Sequence, residues 1–168
     1  MKKKFLDSYK SLLWIMPFLM GLHNLEEAPG MVAFSAKYLP GVHFVTGPQF
    51  HAALVIVTLG GFAAVYASLY FLEKGFWGHM PVAIQAVMLL NALSHVGASI
   101  LFLTPAPGVY TALLVNIPFA LLVFRAAFRE HYIDRRGFAI AFVCGAVVYL
   151  PLIALSLVAG SLAEKLFM

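Results

Sequence analysis

Long hydrophobic runs separated by short polar breaks dominate the chain. Residues 11–25 carry no Lys, Arg, Asp or Glu. A membrane crossing needs roughly 20 residues, so this helix is predicted to continue through Glu26 and Glu27 to Ala28, where Pro29-Gly30 stops it. Pro17 is tolerated inside it if neighbouring helices re-satisfy the backbone. A second run spans 49–72 and ends at Glu73-Lys74-Gly75. From Gly75 to Phe124 there is no formal charge, and Thr104-Pro105-Ala106-Pro107-Gly108 divides that stretch into two. Pro81 suits the first turn of the third helix. Residues 125–136 are the most charged, and 137–163 form a fifth uncharged run. The prediction is an all-α membrane protein: a single bundle of five transmembrane helices over about 11–28, 49–72, 80–103, 108–128 and 137–163.

Between the first two runs, Pro29-Gly30, Pro40-Gly41 and Gly47-Pro48 punctuate a mixed stretch. Met31 to Leu39 is apolar apart from Ser35 and Lys37. It reads as a short helix lying in the membrane interface, or as one folded over the end of the first helix as a lid.

Composition removes the soluble alternative. Hydrophobic residues make up 62% of the chain and charged residues 11%, against about 25% charged in soluble domains. The length suits one domain. The net charge of +4 sits at the ends of the runs, which signals membrane orientation and no nucleic-acid partner. With the N-terminus in the cytoplasm, the inner segments carry Lys2, Lys3, Lys4, Lys10, Lys74, Arg125, Arg129, Arg135 and Arg136, and the outer ones only Lys37 and Lys165. The positive-inside rule therefore places the N-terminus in the cytoplasm and the C-terminus outside, in the cell's inner (cytoplasmic) membrane. The basic start and apolar Leu12–Leu22 resemble a signal peptide, but no small-x-small cleavage site follows, so an uncleaved first helix is expected. The lone Cys144 excludes an internal disulfide and reads as a packing residue.

His23-Asn24-Leu25-Glu26-Glu27 is costly in this setting. An ionisable group near the bilayer centre costs roughly 2.5–3.5 kcal/mol. His23 lies three and four residues before Glu26 and Glu27, so all three can share a face; Asn91 and His95 are spaced likewise. Asn91 and His95 lie roughly 15–21 Å along the third helix, and Asn116 roughly 12 Å along the fourth. His51 lies near the outer mouth of the second. Four helices thus bring polar groups to the outer half of the membrane, where such groups face a bundle interior. Each residue also has a plainer reading. Glu26 and Glu27 are close enough to Pro29 to reach the interface. His51 is equally an exposed interfacial histidine. Asn91 and Asn116 suit helix–helix hydrogen bonds, especially Asn116. His43, His79 and His131 fall at span ends or in loops and read as surface residues.

His23-Asn24-Leu25-Glu26-Glu27 resembles the motif that names the HXXEE domain family of small integral membrane proteins. Asn91-Ala92-Leu93-Ser94-His95 resembles its second motif, N-A-x-x-H, and Gly108-Val109-Tyr110-Thr111 with Pro118 is similar to a looser G-x-x-T…P pattern. The resemblance implies a single HXXEE-type transmembrane domain over 1–168, and it implies no activity.

Chemistry must come from the residues. His23, Glu26, Glu27, His51 and His95 supply the N and O atoms that zinc or non-haem iron accepts, with Glu26, Glu27 and Asn91 as candidate catalytic groups. A divalent metal would offset the buried carboxylate charge. The expected function is a membrane-embedded, metal-dependent hydrolase or oxidoreductase acting on a lipid or other hydrophobic small molecule. A homo-oligomer is compatible with it. The alternatives are a metal-free acid–base isomerase or cyclase of an isoprenoid-like lipid, using paired carboxylates with separated pKa values, and a proton-coupled transporter or membrane binding protein.

Overall fold

The computed structural model describes residues 8–39, 46–71 and 76–167. His43 lies outside them. Among the described residues the chain forms six helices and no strand: α1 (Tyr9–Glu27), α2 (Met31–Tyr38), α3 (Gly47–Phe71), α4 (Phe76–Leu101), α5 (Val109–Arg129) and α6 (Arg135–Phe167). Four of them, α3 to α6, are long and apolar enough to cross a membrane. α1 has 19 residues and contains Pro17, His23 and both glutamates; it does not reach the same apolar standard. The apolar surplus points outwards, with Leu59, Leu114, Val147 and Leu155 all exposed. Outward-facing Leu and Val along uninterrupted helices are the mark of a protein whose solvent is lipid.

Helix boundaries follow the breakers. Pro29 and Gly30 close α1, and α2 starts directly afterwards at Met31. α4 runs further back than expected, to Phe76, so Pro81 lies inside it and not in its first turn. α5 starts just after Gly108, whose φ of +87° reverses the chain after Thr104–Pro107. Its pitch then widens. Ala112–Asn116 is a π turn in which Ile117 N–H bonds to Ala112 O. Pro118 follows, lacking a donor of its own. In a regular α-helix residues five apart diverge by about 140°; the wide turn brings Thr111 and Asn116 to one side of the helix.

α6 packs along α3 and α4, while α1 packs on α3 and α5. Gly145 of α6 sits so close to α4 that a Cβ there would lie 2.6 Å from Ala83 O. Small residues of this kind let membrane helices approach closely. The apolar core lies toward the start of α1: Tyr9, Leu12, Leu13 and Met16 pack with Val82 of α4 and Val123, Phe124 and Ala127 of α5. Tyr9 stacks on Tyr132 with ring centroids 4.8 Å apart. The other end of the bundle is hollow. A cavity of about 540 Å³ lies there, lined by residues of all six helices. α2 contributes Met31, Val32, Phe34, Ser35 and Leu39 to its wall, and Phe34 and Tyr38 pack against Phe102 at the end of α4. The short helix thus lies against the end of α4 and walls the cavity.

Candidate functional site

The polar wall of the cavity is built from three helices. α1 presents His23 and Glu27 one turn apart, α4 presents Asn91 and His95 one turn apart, and the start of α5 closes over them. His23, Glu27 and His95 are all buried, at 2%, 6% and 5% exposure. Their ligating atoms lie within 4.8 Å of one another. Glu27 Oε1 is 3.6 Å from His23 Nε2 and 2.5 Å from His95 Nε2. The second approach is out of line with a ring N–H, and His95 Nε2 has no formed hydrogen bond. Two lone-pair atoms therefore converge at short range. The two imidazoles meet edge to face, with centroids 4.9 Å apart.

Hydrogen bonds fix the histidine orientation. His23 Nδ1 is 2.7 Å from Thr111 Oγ1, and Thr111 Oγ1–H donates to Gly108 O at 3.2 Å. The hydroxyl has spent its only proton, so His23 Nδ1–H is the donor in that pair and Nε2 carries the lone pair. Asn91 Nδ2 donates to Nε2 at 2.9 Å. Asn91 is held in turn by Tyr149 O–H, which donates to its Oδ1 at 3.1 Å. Tyr149 Oη also lies 3.2 Å from Ser94 Oγ. A partner such as Thr111, which takes the second ring N–H, locks the tautomer and angle of a metal-ligating histidine, whereas the Asn91 amide uses the Nε2 lone pair and must withdraw for an ion to bind there.

Gly108 lies against His23, Glu27 and His95 alike. A Cβ at this residue would lie 2.9 Å from His23 Cε1, 3.0 Å from Glu27 Cγ and 3.3 Å from His95 Cε1. Positive φ and the absence of space both demand glycine here.

The adjacent carboxylates part company. Glu26 turns to the start of α5, where Oε1 accepts from Tyr110 N–H at 3.1 Å and Oε2 from Thr111 N–H at 2.7 Å. It satisfies two of the donors that a helix N-terminus leaves free and suits its positive end. His51 is exposed, with Nε2 3.1 Å from Ala28 O, a carbonyl left free at the end of α1. The ligand set expected from sequence thus contracts: His23, Glu27 and His95 come together, with Asn91 beside them, while Glu26 and His51 are drawn away by backbone groups. Asn116 lines the same cavity, but its buried Oδ1 has no hydrogen-bond partner among the described residues, in place of the expected interhelical bond.

This arrangement brings together the elements of the three sequence motifs. A family model described as "Protein of unknown function with HXXEE motif" matches residues 14–123. The chain belongs to the HXXEE family. It is also 29% identical over 139 residues to the uncharacterized protein YrkK of Bacillus subtilis (strain 168), covering 82% of this chain and 88% of that one. No solved structure matches. Within the HXXEE protein, residues the sequence reading passed over complete the site. Thr111 and Gly108 belong to the G-x-x-T stretch, which was a signal for them. Tyr149 sits in an apolar run with nothing to mark it. It also lies beyond the segment matched by the family model.

The donor set passes a simple test of fit. Two imidazole nitrogens and one carboxylate are the set used by some catalytic zinc sites and by facial-triad iron sites. Ligands of one tetrahedral zinc ion, bound at about 2.0–2.1 Å, sit roughly 3.3 Å apart. The His23–Glu27 separation is already close to this, the Glu27–His95 pair needs to open slightly, and Asn91 Nδ2 must release His23 Nε2.

Proposed function

We propose that this HXXEE protein is a membrane-embedded enzyme whose His23–Glu27–His95 group holds a divalent ion, zinc or iron. Its substrate is a lipid or other hydrophobic small molecule bound in the adjoining cavity. The carrying observation is the convergence of three buried ligating atoms within 4.8 Å on the wall of an otherwise apolar cavity of about 540 Å³. That volume lies in the usual range of small-molecule pockets, roughly 300–1,000 Å³. The proposal includes five membrane crossings, α1 among them, with the N-terminus cytoplasmic and the C-terminus outside, in the inner membrane. The lysine and arginine distribution supports this orientation and puts the site in the outer half of the bilayer.

A bound ion would supply Lewis acidity toward a carbonyl group or water. The chain's own residues do the rest. Glu27 is the only carboxylate lining the cavity among the described residues, so it carries whatever negative charge the site needs. Thr111 holds the His23 ring at Nδ1, and Asn91 would release Nε2 to the ion. The apolar wall excludes water, which strengthens every electrostatic interaction inside.

A second reading has one observation in its favour. Glu27 and His95, buried side by side on the wall of an apolar cavity, are also the residue types of an acid–base pair, which suits metal-free isomerisation of a hydrophobic substrate. Metal analysis of full-length protein purified in detergent without chelator separates the two. The metal reading expects near-stoichiometric zinc or iron, lost in His95→Ala and Glu27→Gln and kept in His51→Ala. Protein that carries no ion and takes up none on titration would sink it and leave the acid–base pair.

A further inference from the structure

We infer that the cavity takes a single-chain, uncharged amphiphile bearing a hydroxyl group, a long-chain alcohol of roughly sixteen carbons, with its hydroxyl given to Asn116. The inference rests on reading this cavity as the substrate pocket and names the class of molecule that fills it. Three features of the wall point there.

The first is size. At about 30 Å³ for each water-sized group, 540 Å³ holds roughly 18 heavy atoms, which is one chain and not two. The second is charge. Among the described residues no lysine or arginine lines the cavity, and Glu26 already occupies the start of α5. Away from the His23–Glu27–His95 group, a phosphate or diphosphate headgroup lodged at Asn116 would meet no basic side chain of the lining, and buried charge is tolerated only when paired. The third is Asn116. The residue is 1% exposed and its Oδ1 has no partner. An amide oxygen only accepts, so it is satisfied by a ligand that brings a proton. A hydroxyl does so; a carboxylate, a ketone or a hydrocarbon does not. The π turn at Ala112–Asn116 sets this residue on the cavity side of α5.

Native mass spectrometry of the full-length protein, released from detergent with hexadecanol, hexadecanoate, hexadecane and hexadecyl phosphate in competition, tests the assignment. Hexadecanol is expected to exceed each competitor in occupancy at least tenfold. Asn116→Leu should cut its advantage over hexadecane to within threefold, and Asn116→Asp, which keeps the acceptor, should preserve most of it. Val57→Trp, which fills the cavity, should lower occupancy by every ligand. Equal or greater occupancy by hexadecanoate or hexadecyl phosphate would overturn the inference. So would an alcohol preference unchanged in Asn116→Leu. The same spectra report bound metal by mass. Alcohol preference in protein without an ion defeats the metal reading alone; an ion present with a preference for the anions defeats this inference alone.

Discussion

The two ends of the bundle are built from the same three helices and do opposite things. Toward the start of α1, Leu12, Leu13 and Met16 meet Val82 of α4 and Val123 of α5, each at most 1% exposed. Toward its end, α1, α4 and α5 place His23, His95 and Asn116 around empty volume. The difference lies in residue size and spacing. At the packed end, large apolar side chains recur at helical spacing and interdigitate. At the hollow end, Gly108, Ala98 and Ala106 take up little room, and the polar residues engage one another. Packing in a membrane protein comes from van der Waals contact more than from exclusion of water, so the packed end supplies most of the order. The hollow end inherits its geometry from it, because α1 runs unbroken from Tyr9 to Glu27. Precise sites are best carried by rigid elements in this way.

The sharpest way to break this division is to damage one end and read both. Leu13→Ala removes a fully buried side chain and should cost roughly 2–5 kcal/mol of stability, while metal bound per folded molecule stays as in the wild type. His95→Leu should do the reverse. Combined with Glu27→Leu, it removes the ion and replaces both buried partners by apolar groups, a change that is often neutral or stabilising. Unfolding in denaturant together with metal analysis of the folded fraction checks both. A single variant that lowers both quantities in step would mean the ends are one cooperative unit.

How much of this was legible in the sequence follows the same division. Every apolar run became a helix, because a long uncharged run at helical spacing leaves no other choice. The meeting of His23, Glu27, Asn91 and His95 was legible because one-turn spacing and a common depth constrain side chains without knowledge of helix rotation. The parting of Glu26 from Glu27 was not. Neighbours on a helix differ by about 100°, and either could have faced inward; two backbone N–H groups at α5 decided it. His51 was likewise claimed by a free carbonyl that belongs to another helix. Tyr149 had no signal at all, since a tyrosine in an apolar run is ordinary until Asn91 is found beneath its hydroxyl.

Within the hollow end, Thr111 separates holding a ligand from being one. Thr111→Val keeps the shape of the side chain but removes the acceptor for His23 Nδ1–H. Losing such an outer partner typically weakens metal binding by about 10–100-fold, so competition with a chelator should show a shift in that range. The ion should still bind at saturation. Complete loss would make Thr111 part of the metal's own coordination.

The smallest expected effect carries the finest distinction, that between Glu26 and Glu27. Glu26→Gln leaves one oxygen to accept from the start of α5 and removes the charge that suits a helix N-terminus. That interaction is worth about 0.3–1 kcal/mol where solvent reaches it, and Glu26 is only partly buried. The variant should therefore unfold slightly earlier and bind its metal within about threefold of wild type, in contrast to Glu27→Gln. If Glu26→Gln instead lost the ion outright, α5 and its Thr111 would be shown to depend on that one carboxylate for their position. The two glutamates of the motif would then be a ligand and its anchor, inseparable in function though they face different helices.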